Sequence, residues 1–243
     1  AFRHDDTDDF GSATTARVTA HADLGAGFGL SGAWGTGFRA PSVSQSVCDF
    51  CFSSAPLPAL VPEEGEGHEV ALGWTSADRR IEGRVTLYRL TVENQIVYRF
   101  DPVTFDSVYI NLDETETDGV EVEGRAPLGA GFDLSLSYGW TDARDATTDL
   151  PLLRVPEHKG SLGLGYVGDR LSTRLTVRAE SDQPDSGGTR EGFVTADLFG
   201  SWALTPDIAL TGRIDNLADE RFQRVLGYGE PGRTVAVGVR LRY

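Results

Sequence analysis

Apolar and polar residues alternate with a period of two along most of the chain, which is the pattern of β-strands with one oily and one wet face. Between Gly131 and Trp140, the segment GFDLSLSYGW puts Phe132, Leu134, Leu136, Tyr138 and Trp140 on one face, and Asp133, Ser135, Ser137 and Gly139 on the other. LSTRLTVRAE sets Leu171, Thr173, Leu175 and Val177 against Ser172, Arg174, Thr176 and Arg178. IALTGRID sets Ile208, Leu210, Gly212 and Ile214 against Ala209, Thr211, Arg213 and Asp215. Tight turns carrying Gly, Asp or Pro are predicted at Leu24 to Phe28, Ser76 to Arg80, Leu128 to Phe132, Val167 to Arg170 and Leu204 to Asp207. Long links fall between them, over residues 41–65, 98–113, 144–156, 182–190 and 218–230. The pattern predicts about eleven strands, with a stub at residues 1–4 before the loop DDTDDFGS.

Strict alternation of short and long connections is the build of an up-and-down membrane barrel, with short turns on the periplasmic side and long loops outside. A soluble sandwich also alternates, but it hides one face in a core and gives its loops no such bias in length. Aromatics near both ends of the oily face favour the barrel. Phe132 and Trp140 share that face eight residues apart, roughly 20 Å along the membrane normal at ~3.3 Å per residue and ~40° of tilt. Trp74 and Trp202 fall near short-turn ends, where an aromatic girdle belongs. The chain closes on RTVAVGVRLRY, with Val235, Val237, Val239, Leu241 and Tyr243 on one face. The expected fold class is therefore all-β: an antiparallel up-and-down transmembrane β-barrel.

Composition narrows the function classes. The 243 residues carry a formal charge of -15, and the 22 basic residues, of which only Lys159 is lysine, are scattered without a basic stripe. Nucleic acid is excluded as a partner on that ground. No apolar run is long enough for a transmembrane helix, a test that alternating strands escape. The first residues, AFRHDDTDD, lack the basic start and apolar core of a signal peptide, and the sequence has no Met, so it reads as a fragment.

Cys48 and Cys51 stand as C-D-F-C in a Pro- and Ser-rich stretch. Zinc would need further ligands, and His4, His21, His68 and His158 are dispersed. A small loop disulfide and two free thiols both remain open. GTGFRA, Gly35 to Ala40, mimics a dinucleotide fingerprint, but Pro41 follows at once and no helix opens there. No catalytic constellation is found, so no enzyme and no cofactor is expected. Asp5, Asp6, Asp8 and Asp9 crowd one expected external loop, and Glu63, Glu64 and Glu66 another. Without an EF-hand spacing these read as solvated charge rather than a metal site. Glu121, Glu123 and Arg125 lie opposite Val120 and Val122 and suit a hydrated lumen.

Several segments, in order along the chain, resemble TonB-dependent outer-membrane receptors. They are FRAPS (Phe38 to Ser42), LVPEEGEGHEVALGW (Leu60 to Trp74), YRLTVENQIVYR with YINLDETETDGVEVEGR, and RVPEHKGSLGLGY with its Pro-x-His element. NLADERFQ, Asn216 to Gln223, is similar to the asparagine-leucine motif before the last loop, although Ala218 stands where an aromatic is typical. GYGEPGRTV, Gly227 to Val235, is most like the final loop of cobalamin-type receptors. The resemblance implies a barrel of 22 strands, of which residues 1–243 would be the C-terminal 11–12, with the plug domain and TonB box lying before residue 1. It implies a Gram-negative outer membrane and energy-coupled uptake of cobalamin or a ferric siderophore. The implied partners are a TonB-type complex, outer-membrane lipid and a small-molecule chelate. Asp49, Phe50, Phe52, Tyr109, Tyr228 and Arg233 are the loop residues singled out for ligand contact, with simple loop packing the alternative for each. A passive porin fragment, a barrel enzyme and a soluble lectin-like module are the competing functional readings.

Overall fold

A computed structural model describes residues 1–7 and 11–242. Twelve strands form one antiparallel sheet in sequential order. They are β1 (Phe2–Thr7), β2 (Gly11–Gly25), β3 (Phe28–Arg39), β4 (Glu63–Thr75), β5 (Glu82–Phe100), β6 (Ser107–Gly129), β7 (Phe132–Asp145), β8 (His158–Val167), β9 (Leu171–Glu180), β12 (Phe193–Ala203), β13 (Ile208–Asp215) and β16 (Thr234–Leu241). Two mini-hairpins, β10 (Gln183–Asp185) with β11 (Gly188–Arg190) and β14 (Gln223–Val225) with β15 (Tyr228–Gly229), sit in the last two long connections. The single helix among the described residues is α1 (Val43–Val47), started by a Ser42–Gln45 capping box. Among the described residues β1 and β16 form the two sheet edges. Tyr243, Asp8 and Asp9 lie outside the described residues.

The sheet has almost no apolar core. Among the described residues its buried hydrophobic ones are Ala71, Ile96, Ala143, Phe193 and Ala209, with Cys48 buried in a loop, while Val85, Leu87, Leu136, Leu162, Trp202 and Leu210 are exposed. Trp202 is 57 % and Val237 87 % exposed, so the tryptophans and valines of the oily face are not sandwich core. Leaving that much apolar area in water would cost ~25 cal/mol per Å². Lipid is the medium in which the arrangement is stable: the chain is a portion of an up-and-down transmembrane β-barrel.

The short turns form as the sequence predicts. The repeated LGAGF places Ala26 and Gly27 at φ 51° and 83°, and Ala130 and Gly131 at 49° and 85°. Two successive left-handed residues make the hairpin turn whose twist matches the strands. In both copies the turn glycine sits against the end of the next strand pair: Thr75 N–H donates to the Gly27 carbonyl at 2.9 Å, and Val167 N–H to that of Gly131 at 2.8 Å. Aromatics flank these turns on the oily face, with Phe28 and Trp74 centroids 6.3 Å apart and Phe132 and Tyr166 4.7 Å apart.

On the inner, polar face, long side chains reach across a glycine to the second strand over. Arg174 of β9 passes Gly163 and Gly165 of β8 to reach Asp133 of β7 at 2.7 Å. A Cβ on either glycine would collide with these groups. Tyr88 of β5 passes Gly119 of β6 to Thr141 of β7 at 3.1 Å. Arg178 also pairs with Asp197, and Arg125 with Glu82 at 3.2 Å, so the wall is hydrated and charged yet paired.

Several boundaries differ from the sequence reading. Residues 98–113 are not a long loop: β5 runs to Phe100 and β6 starts at Ser107, in unbroken register from Phe100↔Ser107 to Glu82↔Arg125 apart from Asn94. Strands of 19 and 23 residues exceed the 9–11 that cross a bilayer, so this hairpin projects well beyond it. Glu63, Glu64 and Glu66 open β4 rather than lie in a loop, and Asp5 and Asp6 belong to β1, which extends past the expected stub. Residues 41–65 contain α1, and residues 182–190 and 218–230 contain the two mini-hairpins. Backbone pairing does not stop at the membrane surface, which is why loop boundaries read from hydropathy fall inside strands.

Candidate ligand-binding surface

The connection from Arg39 to Glu63 folds onto the projecting β5–β6 hairpin. Arg39 grips Glu63 through Nε and Nη2, both at 2.5 Å, and the Glu63 carboxylate also accepts from Ile96 N–H at 2.7 Å. Asn111 of β6 clasps Val61 by both groups, its amide oxygen accepting from Val61 N–H and its amide nitrogen donating to the Val61 carbonyl, each at 3.0 Å. Further out, Phe52 and Ser107 exchange backbone hydrogen bonds of 3.1 and 2.7 Å, and Ser54 N–H donates to Asp106 at 2.9 Å.

Between these anchors, Cys48 and Cys51 are joined by a disulfide, with Sγ–Sγ 2.00 Å. Asp49 and Phe50 form the tip it closes. The Phe50 ring lies 6.2 Å from Tyr98 and 6.1 Å from Tyr109, which face each other across β5 and β6 at 5.4 Å. Tyr98 and Tyr109 share the face that carries Thr86 and Glu121 lower down, so the three rings continue the polar inner wall outward. Phe100 and Phe105 add a second edge-to-face pair at the hairpin tip, 6.3 Å apart. Rings that pack tilted or edge-to-face and stay largely open to solvent offer apolar area at low entropic cost.

Thus Asp49, Phe50, Phe52 and Tyr109 come together. Tyr228 and Arg233 do not join them; Tyr228 is in β15, and Arg233 N–H donates to Asp219 at 2.8 Å in the last loop. Tyr98, Phe100 and Phe105 complete the first group and were hidden by reading residues 98–113 as loop. The period-two spacing of Ile96, Tyr98 and Phe100 is the available signal, and Phe105 lies outside it.

The last three long connections make a different structure. Arg190, 1 % exposed, donates to the Ser181 and Glu191 carbonyls, to Gln183 and to Glu180, and lies 5.1 Å over Phe193. Phe193 in turn packs on Phe222 at 4.4 Å. The buried carboxylate of Asp185 accepts from Arg154, Ser186 N–H and Leu226 N–H at 2.9, 2.7 and 2.8 Å. Burial pushes its pKa up, but the Leu226, Arg154 and Ser186 hydrogen bonds outweigh that and hold it below the ordinary 3.8.

A polar inner wall, an aromatic outer girdle and structured external loops define a transmembrane β-barrel whose outer mouth is built to meet something. Residues 1–217 match the family model described as TonB dependent receptor-like, beta-barrel. The chain belongs to that family. A vitamin B12 transporter, BtuB, of Photobacterium profundum is 24 % identical over 226 residues, 90 % of this chain and 36 % of the relative. A second BtuB, from Vibrio vulnificus, is 27 % identical over 190 residues, 78 % of this chain and 30 % of the relative. The chain thus spans about a third of the length of these relatives. A crystal structure of the ferric enterobactin receptor PfeA from Pseudomonas aeruginosa shares the fold with a TM-score of 0.82 at 18 % identity, over 99 % of this chain and 41 % of that one. These relatives are named as transporters and receptors, not enzymes.

Proposed function

We propose that this chain is the barrel portion of a Gram-negative outer-membrane receptor for energy-coupled uptake of a scarce nutrient, cobalamin or a ferric siderophore. A plug domain and TonB box, contributed by the whole receptor ahead of this portion, are its coupling to a TonB-type complex. The ligand first meets the Phe50–Tyr98–Tyr109 rings. The observation that carries this is their placement on the inner face above the channel wall, with Phe50 and Tyr98 exposed and Tyr109 half-buried between them, in a member of this family. The relatives named for vitamin B12 and for ferric enterobactin support the two ligand classes. No bond of the ligand is broken: binding outside is followed by energy-dependent passage.

Uptake of labelled cobalamin and of ferric chelates by cells carrying the full-length receptor, with and without an uncoupler, tests the reading. Uptake of one ligand that stops with the uncoupler is the expected result. Entry of many small solutes indifferent to the uncoupler would show a passive pore instead.

A further inference from the structure

The ring platform lacks what normally fixes a side chain. Phe50 is 61 % exposed, Phe52, Val43 and Val47 are also exposed, and the connection from residue 40 to 62 buries little beyond Cys48 and Pro41. Burial therefore cannot hold Phe50 on the tyrosines, and an unrestrained segment of this length pays backbone entropy at every residue it orders. What restrains the tip is local. Cys48 caps α1 in the left-handed region, at φ 36° and ψ 71°, and its N–H donates to the Ser44 carbonyl at 3.1 Å. Cys51 N–H donates to the Cys48 carbonyl at 3.0 Å, and the disulfide closes the same four residues. Immediately after Cys51, Phe52 enters its backbone pair with Ser107.

We infer that the Cys48–Cys51 disulfide is the positioning element of the ligand platform, a redox-sensitive latch that holds Phe50 against Tyr98 and Tyr109. The ligand half of this rests on the function proposed above; the latch itself does not. Opening it breaks the Sγ–Sγ bond, with two electrons and two protons passing from an external dithiol, which leaves as its own disulfide. A non-glycine residue then loses the restraint that keeps it left-handed, the helix cap relaxes, and the Phe50 ring and the Phe52–Ser107 pair come free together. The lower parts of β5 and β6, around the Thr86↔Glu121 pair, share none of these contacts and stay folded.

Hydrogen exchange of the full-length receptor in detergent, oxidised and after dithiothreitol, tests the latch without any ligand. Mass measurement after thiol alkylation verifies that both thiols are free. Peptides covering residues 48–54 and 105–110 are expected to exchange roughly tenfold faster in the dithiol form, while residues 83–90 of β5 are unchanged. Unchanged exchange of the loop peptides in the verified dithiol form overturns the inference. Cys48→Ser/Cys51→Ser should reproduce the reduced pattern, and if that variant fails to assemble, the reduced native chain remains decisive. Binding of cyanocobalamin and of a ferric catecholate to both forms addresses the other half. Weaker binding after reduction supports it. A probe bound equally by both forms, with faster loop exchange, removes the platform from the ligand's path and overturns the ligand half of the inference while leaving the latch and the uptake reading.

Discussion

The external loops solve one problem in two ways. The first cluster, residues 40–62 on the β5–β6 hairpin, is fastened by backbone pairs, a disulfide and short polar clasps, and leaves its rings exposed. The second, joining the β7–β8, β9–β12 and β13–β16 connections, is fastened by side chains that satisfy one another around Arg190 and Asp185. Neither has a hydrophobic core of ordinary size. Where order comes from the backbone and a covalent staple, side chains remain free for a visitor. Where it comes from a buried polar network, the side chains are already committed, and the region serves as a brace.

The comparison breaks most severely at Arg190. Arg190→Ala strips Glu180 and Gln183 of their shared partner and empties the space over Phe193. Removing one member of a buried ion pair costs about 3–5 kcal/mol. Limited proteolysis should therefore cut residues 182–190 rapidly, with the Phe50 loop still protected; equal sensitivity of both clusters would erase the distinction drawn between them.

Next in size is Gly131→Ala. Its φ of 85° and its contact with Val167 leave no room for a Cβ. A loss of about 1–3 kcal/mol should appear as a lower unfolding midpoint in detergent, with both external clusters intact. Tyr109→Ala sharpens the comparison from the other side. It removes a ring on which a ligand would pack, a contact of about 0.5–1.5 kcal/mol, so ligand affinity should fall up to roughly tenfold, while the unfolding midpoint falls less than for Gly131→Ala. An equal fall from Tyr228→Ala would show that the two clusters share the task.

Acid should act on the brace through Asp185. Because the Asp185 pKa is depressed on folding, its contribution is complete above the ordinary 3.8 and is lost as pH falls through the lower folded value. Exchange at Leu226 N–H should thus stay slow at mildly acid pH and rise only below that value.

Much of the barrel is legible in the sequence, because period-two alternation and the repeated LGAGF state their consequences locally. Phe132, Leu134 and Leu136 need no knowledge of their neighbours to define a face. The loop contacts are another matter. Phe50 meets Tyr98 from 48 positions away, as their numbering shows, and no periodicity links them. Asp101-Pro102 is a turn signal at the tip of the hairpin carrying Tyr98 and Tyr109, and a long link over residues 98–113 hides the strand ends on both sides of it. Arg190 lies in GGTREG, a stretch that reads as solvated until its partners between Glu180 and Phe193 fold around it. Tyr228 and Arg233 lie in the last long connection, and sharing an end of a barrel with Phe50 does not place two loops together.

The reach of Arg174 to Asp133 and of Tyr88 to Thr141 has a mechanical consequence. Each tie skips a strand, so neither strand can slip along its neighbour by one residue without also stretching a link to the strand beyond. Hydrogen-bond ladders alone resist such sliding only between adjacent strands, and a slip of one residue would turn every oily side chain inward. Stitched in this way, the wall behaves less like parallel rods than like woven cloth, and it keeps its register when a load is drawn along its inner surface.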